Sequence, residues 1–108
     1  MPATIKVLDQ VYPAAAVETT LYTCAATSTV VSCLSITNTS ATPDAVTVRI
    51  CVGGAADDPK QLLFSGTLVP GNGVLASVIG ITLETTDMIK VTSANGTSAF
   101  QLFGQENT

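Results

Sequence analysis

The sequence predicts an all-β fold: a single antiparallel β-sandwich, jelly-roll or immunoglobulin-like, with seven to eight strands and an extended N-terminal segment. Three observations predict it. Apolar and polar residues alternate in short runs separated by Pro, Gly, Asn and Asp clusters, as in "DAVTVRICV" over 44–52, the pattern of strands that bury one face. Thr and Ser number 17 and 8 among 108 residues, and Thr suits a pleated, half-exposed surface. No window sustains the 3.6-residue period of an amphipathic helix.

The strands expected in order cover 4–11, 18–24, 29–38, 44–52, 61–69, 74–83, 87–93 and 98–104. The first holds Ile5, Val7 and Leu8 and runs into "YPAAAV", where Pro13 biases Tyr12 to an extended conformation. Residues 1–16 therefore read as an N-terminal arm or as a first strand, and 17–108 as the sandwich domain. In 44–52, Val46, Val48, Ile50 and Val52 fall on one face, read as core, with Thr47, Arg49 and Cys51 on the other. A turn cluster, "TNTSATPD", precedes that strand, and "GGAADDP" follows it as a flexible loop with its acidic tip in water. In "QLLFSGTLVP", Leu62, Phe64 and Leu68 are placed on one face, with Gly66 at a bulge. The end, "VTSANGTSAFQLFG", reads as a hairpin turned by Asn95-Gly96, because a type I′ turn needs φ > 0 at both central residues. Ile89 and Val91 then share a face with Ser93, Phe100 pairs with Leu102, and Phe103 is left outside. The expected core is Val46, Val48, Ile50, Leu62, Phe64, Ile79, Ile81, Ile89, Val91, Phe100 and Leu102.

One domain fits this length, and a chain of this size buries enough apolar surface to fold without obligatory staples. The longest apolar stretch, 73–83, is about half of a membrane-spanning helix, and "MPATIKVLDQ" lacks the basic and apolar regions of a secretory signal. Folding in a cytoplasm, with no membrane partner, is the expectation. A net charge of −4 without a basic run disfavours nucleic acid.

Candidate chemistry is sparse. Cys24, Cys33 and Cys51 lack CxxC spacing and no His is present, which argues against zinc and for half-buried thiols, with one disulfide as the alternative. "GNGVLA" over 71–76 spells a dinucleotide fingerprint, but the β-patterned "VLASVIGITL" follows where a helix is required. It reads as a strand-to-strand turn. Without a His to serve as general base, Ser and Cys nucleophiles are unsupported. Neither Asp57-Asp58 nor Glu84 with Asp87 has calcium-loop spacing. No enzyme activity, cofactor or metal is expected, and the sequons at Asn38 and Asn95 read as turns.

Only 11% of the residues are charged, against roughly a quarter in ordinary soluble domains, so the surface is broad and weakly polar, as surfaces buried on neighbours are. The strings "LYTCAATSTVVSCLSITNTSATPDAVTVRICVGG" and "LVPGNGVLASVIGITLETTDMIKVTSANGTSAFQLFGQE" resemble a group of small virion proteins of tailed bacteriophages, over residues 21–106. The three cysteines stand where that group would carry Val, Ser or another small residue, and they leave room for a covalent crosslink in the virion. The resemblance implies a β-sandwich that decorates a particle assembled in the host cytoplasm. The first reading is a capsid decoration or cement protein bridging neighbouring copies of the major capsid protein. The alternatives are a tail, baseplate or fibre component, and a small adhesion or binding module. The protein itself is expected as a partner, in a homotrimer, with Ile5, Val7, Leu8, Tyr12 and Phe103 at interfaces and residues 1–12 reaching a neighbour's sheet edge.

Overall fold

A computed structural model describes residues 3–77 and 81–107. Nine strands form two antiparallel sheets: β1 (Ala3–Val11), β2 (Thr19–Thr23), β3 (Ser28–Asn38), β4 (Asp44–Cys51), β5 (Leu62–Val69), β6 (Val74–Ser77), β7 (Ile81–Glu84), β8 (Met88–Ser93) and β9 (Ser98–Asn107). One sheet, called A, runs β1-β9-β3-β6, with β7 also on β3; sheet B runs β2-β8-β4-β5. Because β9 lies along one edge of β3, β6 and β7 share the other, and sheet A is four strand positions wide. Two four-wide sheets between which the chain crosses at every step except β4 to β5 and β6 to β7 have the strand order of a jelly roll. The N-terminal stretch is thus an edge strand of its own sheet, antiparallel to β9.

Both inner faces follow from alternation. Leu34, Ile36, Phe100 and Leu102 from sheet A meet Val46, Val48, Ile89 and Val91 from sheet B, all essentially without solvent contact. Ile50, Phe64 and Ile81 are half-buried against this core, and Ile79 lies outside the described residues.

Three expectations are corrected. The C-terminal run is not a hairpin: β8 belongs to sheet B and β9 to sheet A, so Ala94–Thr97 is an arch between the sheets. Alternation is the same whether two strands pair with each other or face each other, so it cannot separate the cases. The arch is set by Asp44, wholly buried, whose carboxylate accepts the hydroxyls of Ser93 and Ser98 and the Asn95 N–H (2.9 Å). Gly96 has φ +70, and a Cβ there would lie 2.6 Å from the Ala15 nitrogen, so both the backbone angle and the close approach need glycine.

In β5 the bulge at Gly66 (φ +61) is present, with the register jumping between Val46–Thr67 and Val48–Phe64. Each bulge inserts one residue and so reverses which side chains face inward. Leu68 is consequently 67% exposed and Val69 fills the core. A second register jump puts Leu62 opposite Arg49 on the outer face, and Leu63 packs on the core in its place.

The third correction concerns residues 53–59, expected as a flexible loop with its acidic tip in water: Asp57 and Asp58 are exposed as expected, but these residues and their flanks are not irregular. They form two short 3₁₀ turns, Val52–Gly54 and Pro59–Gln61, the second closed by a capping box in which the Asp58 carboxylate accepts the Lys60 N–H and the Gln61 side chain accepts the Asp58 N–H, both at 3.0 Å. Gln61 also donates to the Ala56 carbonyl (2.9 Å) and accepts from the buried Cys51 thiol. The loop is folded down over the outer side of β4.

Candidate functional site

The outward side chains of sheet A come from four strand positions in register. Ile5 stands beside Gln105 and Val7 beside Phe103 across β1 and β9. Val30 meets Gln105, and Cys33 meets Phe103, across β9 and β3. Val74 lies opposite Thr37 on β6. Ile5 is 84% exposed, Val74 58%, Val7 49% and Val30 40%. Ser, Thr and Gln separate these apolar side chains, and Glu84 at the β7 corner is the single charged residue among the described positions in this register. A hollow of about 240 Å³ lined by Ile5, Val30, Ser32, Gly104 and Gln105 indents the face. Gly104 is obligatory there, since a Cβ would fall 2.2 Å from the Val30 carbonyl oxygen.

Of the five proposed interface residues, Ile5, Val7 and Phe103 therefore share one face, with Phe103 half-buried between Val7 and Cys33. Leu8 is not on it. A bulge between Val7 and Asp9 turns Leu8 into the core, where it is 9% exposed. Tyr12 lies past the end of β1, exposed, with its hydroxyl 3.2 Å from the Thr39 hydroxyl. Val30 and Val74 were missed. The signal for Val30 was present in "TVVSC": the doubled valines mark the β3 bulge between Val31 and Cys33, which switches the outward parity from 28 and 30 to 33, 35 and 37.

The outer face of sheet B has the opposite character. Lys90 and Arg49 lie directly opposite one another on β8 and β4, an arrangement that repels. Glu18 and Asp57 offset it: Arg49 Nε is 3.5 Å from Glu18 and 3.7 Å from Asp57, and Lys90 Nζ is 4.0 Å from Asp57. Burial, with the neighbouring Asp57 carboxyl, pushes Glu18 above the usual carboxylate range against the pull of Lys90 and Arg49. Burial also pushes the Cys51 thiol up, away from the thiolate that reacts or binds metal.

A buried chain of hydroxyls ties both sheets to the β1 edge. The Cys24 thiol lies 3.1 Å from the Thr29 hydroxyl, which lies 3.0 Å from the Tyr22 hydroxyl; Tyr22 donates to Glu106, and Glu106 pairs with Lys6 at 2.7 Å. Burial and the Glu106 carboxylate raise Tyr22 to about 12, while hydrogen bonds from Lys6 and Tyr22 hold Glu106 below the usual glutamate range. At the other end of the sandwich, burial raises the Asp44 carboxyl but its hydrogen bonds from Ser93, Ser98 and the Asn95 and Ala45 N–H groups prevail and lower it.

These polar groups are satisfied inside the protein, which assigns them to structure. All three cysteines are free, Cys24 and Cys51 buried and Cys33 half-buried. The Asn38 amide donates to the Thr42 carbonyl at 2.8 Å and its oxygen accepts from Ser40 and Thr97, so this sequon side chain is a loop organiser. In "GNGVLA" the strand β6 follows the glycines, and a Cβ on Gly71 would meet the Ala41 carbonyl oxygen at 2.0 Å. The glycine serves close packing of two turns. Among the described residues, no group of three or more His, Cys, Asp or Glu is placed to hold a metal ion. Comparison with protein-family models and with curated proteins finds no match to this chain.

Proposed function

We propose that this protein is a non-enzymatic structural component of a phage virion, a capsid decoration or cement protein that seats the outer face of sheet A on the major capsid protein and stabilises the shell by bridging its subunits. The observation that carries the proposal is that face: nearly free of charge and set with four exposed aliphatic side chains. Scattered apolar residues are normal on a monomer, but several on one sheet face with a single carboxylate at its corner fit burial against a neighbour. The jelly-roll strand order agrees with this reading by analogy, since capsid domains use it, although lectins do as well. The sequence resemblance to small virion proteins points the same way. Weak contacts repeated over a shell add up by avidity, so no single copy needs a tight site.

The test is reconstitution. Heads stripped of the protein are incubated with wild type or with the double variant Val7→Lys/Val30→Lys, sedimented, and heated. Wild type is expected to co-sediment and raise the bursting temperature; the variant, folded by circular dichroism, is expected to do neither. Equal binding of both proteins would sink the assignment of this face, and binding to tails but not heads would establish a tail component instead.

A further inference from the structure

We infer that β1 is the pairing edge for a second copy of this chain, in a two-fold antiparallel arrangement centred on Val7. The inference deepens the reading of sheet A as an association surface and rests on it.

Among the described residues strand β1 ends sheet A and pairs with β9 on one side only, so alternate N–H and C=O groups along its nine residues face away from the described strands. An edge this long and this apolar is a template for another strand, and proteins blunt such edges with Lys and with bulges. Both devices are here: Lys6, and the bulge between Val7 and Asp9. They block indiscriminate pairing, yet together they encode one permitted partner.

The bulge is what makes the code work. Without it, Lys6 and Asp9 would point to opposite faces; the extra residue brings Asp9 opposite Leu102, an inward position, while Lys6 stands opposite Gly104, also inward. Thr4, Lys6, the Leu8–Asp9 pair and Val11 thus belong to one face, and Ile5, Val7 and Gln10 to the other. With a two-fold axis through Val7, each Val7 meets its copy, Lys6 of one chain lies across from Asp9 of the other, and Ile5 lies across from Gln10. The attraction is made twice by symmetry, and face matches face at every position. Any shift by one residue sets the outward Val7 against an inward position.

Such a pair joins two A sheets edge to edge and makes their outer faces continuous, doubling the uncharged surface available to a shell. It replaces the trimer expected from sequence with a two-fold dimer. Residues 3–11 then reach a neighbour without leaving their own sheet, through the free edge of β1.

Sedimentation equilibrium of the purified protein tests this without any capsid. Asp9 is exposed and has no ionic partner among the described residues, so Asp9→Lys is expected to keep the fold while setting Lys against Lys at both symmetric positions. The dimer dissociation constant should rise by roughly tenfold or more for two lost attractions turned repulsive. The exchange Lys6→Asp/Asp9→Lys should restore the dimer; because Lys6 also binds Glu106, Val7→Lys serves as an independent disruptor on the axis. A wild type that is monomeric at every concentration, or an oligomer unaffected by Asp9→Lys and Val7→Lys, overturns the inference. A dimer that forms as described but ignores capsids overturns only the proposed function.

Discussion

The two outer faces of this sandwich arise from the same alternation of side chains, yet they manage their exposure in opposite ways. On sheet B, two cations sit opposite each other, two acids reach over to offset them, and residues 52–61 fold down over Cys51. Sheet A receives no such cover from the described residues, and its outward row runs Ile5, Val7, Phe103, Cys33 and Val30 with hydroxyls and amides between. A whole-chain figure of 11% charged averages over this division. Twelve charged side chains leave one sheet face almost bare because the others gather on sheet B, at the loops and along the inner side of β1. The difference teaches where the chain is finished and where it is open to a partner.

The strongest way to break the comparison is to reverse a face. Val48 is wholly buried between the sheets, whereas Leu68 is 67% exposed on sheet B. Val48→Asp should cost upwards of about 4 kcal/mol and leave the protein unfolded, because an unpaired carboxylate would sit in the core. Leu68→Asp should stay within about 0.5 kcal/mol. Urea titration of the pair reads both, and a folded Val48→Asp protein would mean that inside and outside have been exchanged.

Next in size is Asp44→Ala, which strips the Ser93 and Ser98 hydroxyls and the Asn95 and Ala45 N–H groups of their acceptor and frees the arch that sends β9 to sheet A. A loss of about 3 kcal/mol is expected. The pH dependence has a definite sign: the folded-state carboxyls of Asp44 and Glu106 are lowered, so their stabilisation is present above their unfolded values and is lost as pH falls through the folded ones. Acid unfolding below pH ~4 should flatten in Asp44→Ala. Tyr22 acts at the other extreme. Raised to about 12 from 10, it contributes stability fully present below pH 10 and lost as pH rises towards 12, and Tyr22→Phe should cost about 1 kcal/mol at neutral pH while abolishing that alkaline loss. An unchanged alkaline transition in Tyr22→Phe would place the titrating group elsewhere.

Much of this architecture was legible in the sequence. Every run of alternation became a strand or a pair of strands, because a side-chain period of two with one buried face leaves little freedom. What alternation could not carry was everything that depends on bulges and on sheet assignment. The bulge at Gly66 was visible, yet its consequence for Leu68 requires following parity through an inserted residue. The bulge between Val7 and Asp9 has no glycine to announce it, so Leu8 read as exposed. Asn95-Gly96 spelled a hairpin, and the decisive Asp44 lies some fifty residues earlier, in a turn cluster where an acid looks ordinary. The candidate face was half legible: Ile5, Val7 and Phe103 could be named, but their assembly with Val30 and Val74 needs the strand order, which local pattern does not contain.

The smallest effect sharpens the comparison by its absence. Arg49→Ala removes the cation nearest to both Glu18 and Asp57, together with a hydrogen bond to the Asp58 carbonyl at 3.1 Å. Partly exposed ion pairs of this length contribute about 0–1 kcal/mol, and removing one of two facing cations also relieves their mutual repulsion. Stability should therefore fall by less than about 1 kcal/mol, and capsid attachment and self-association should be unchanged, because both are assigned to sheet A on the far side of a closed core. Co-sedimentation with heads and sedimentation equilibrium measure these separately. If Arg49→Ala loosened attachment as much as Val7→Lys/Val30→Lys, the charged face would be the one that meets the partner, and the neutrality of sheet A would lose its meaning as a docking signal.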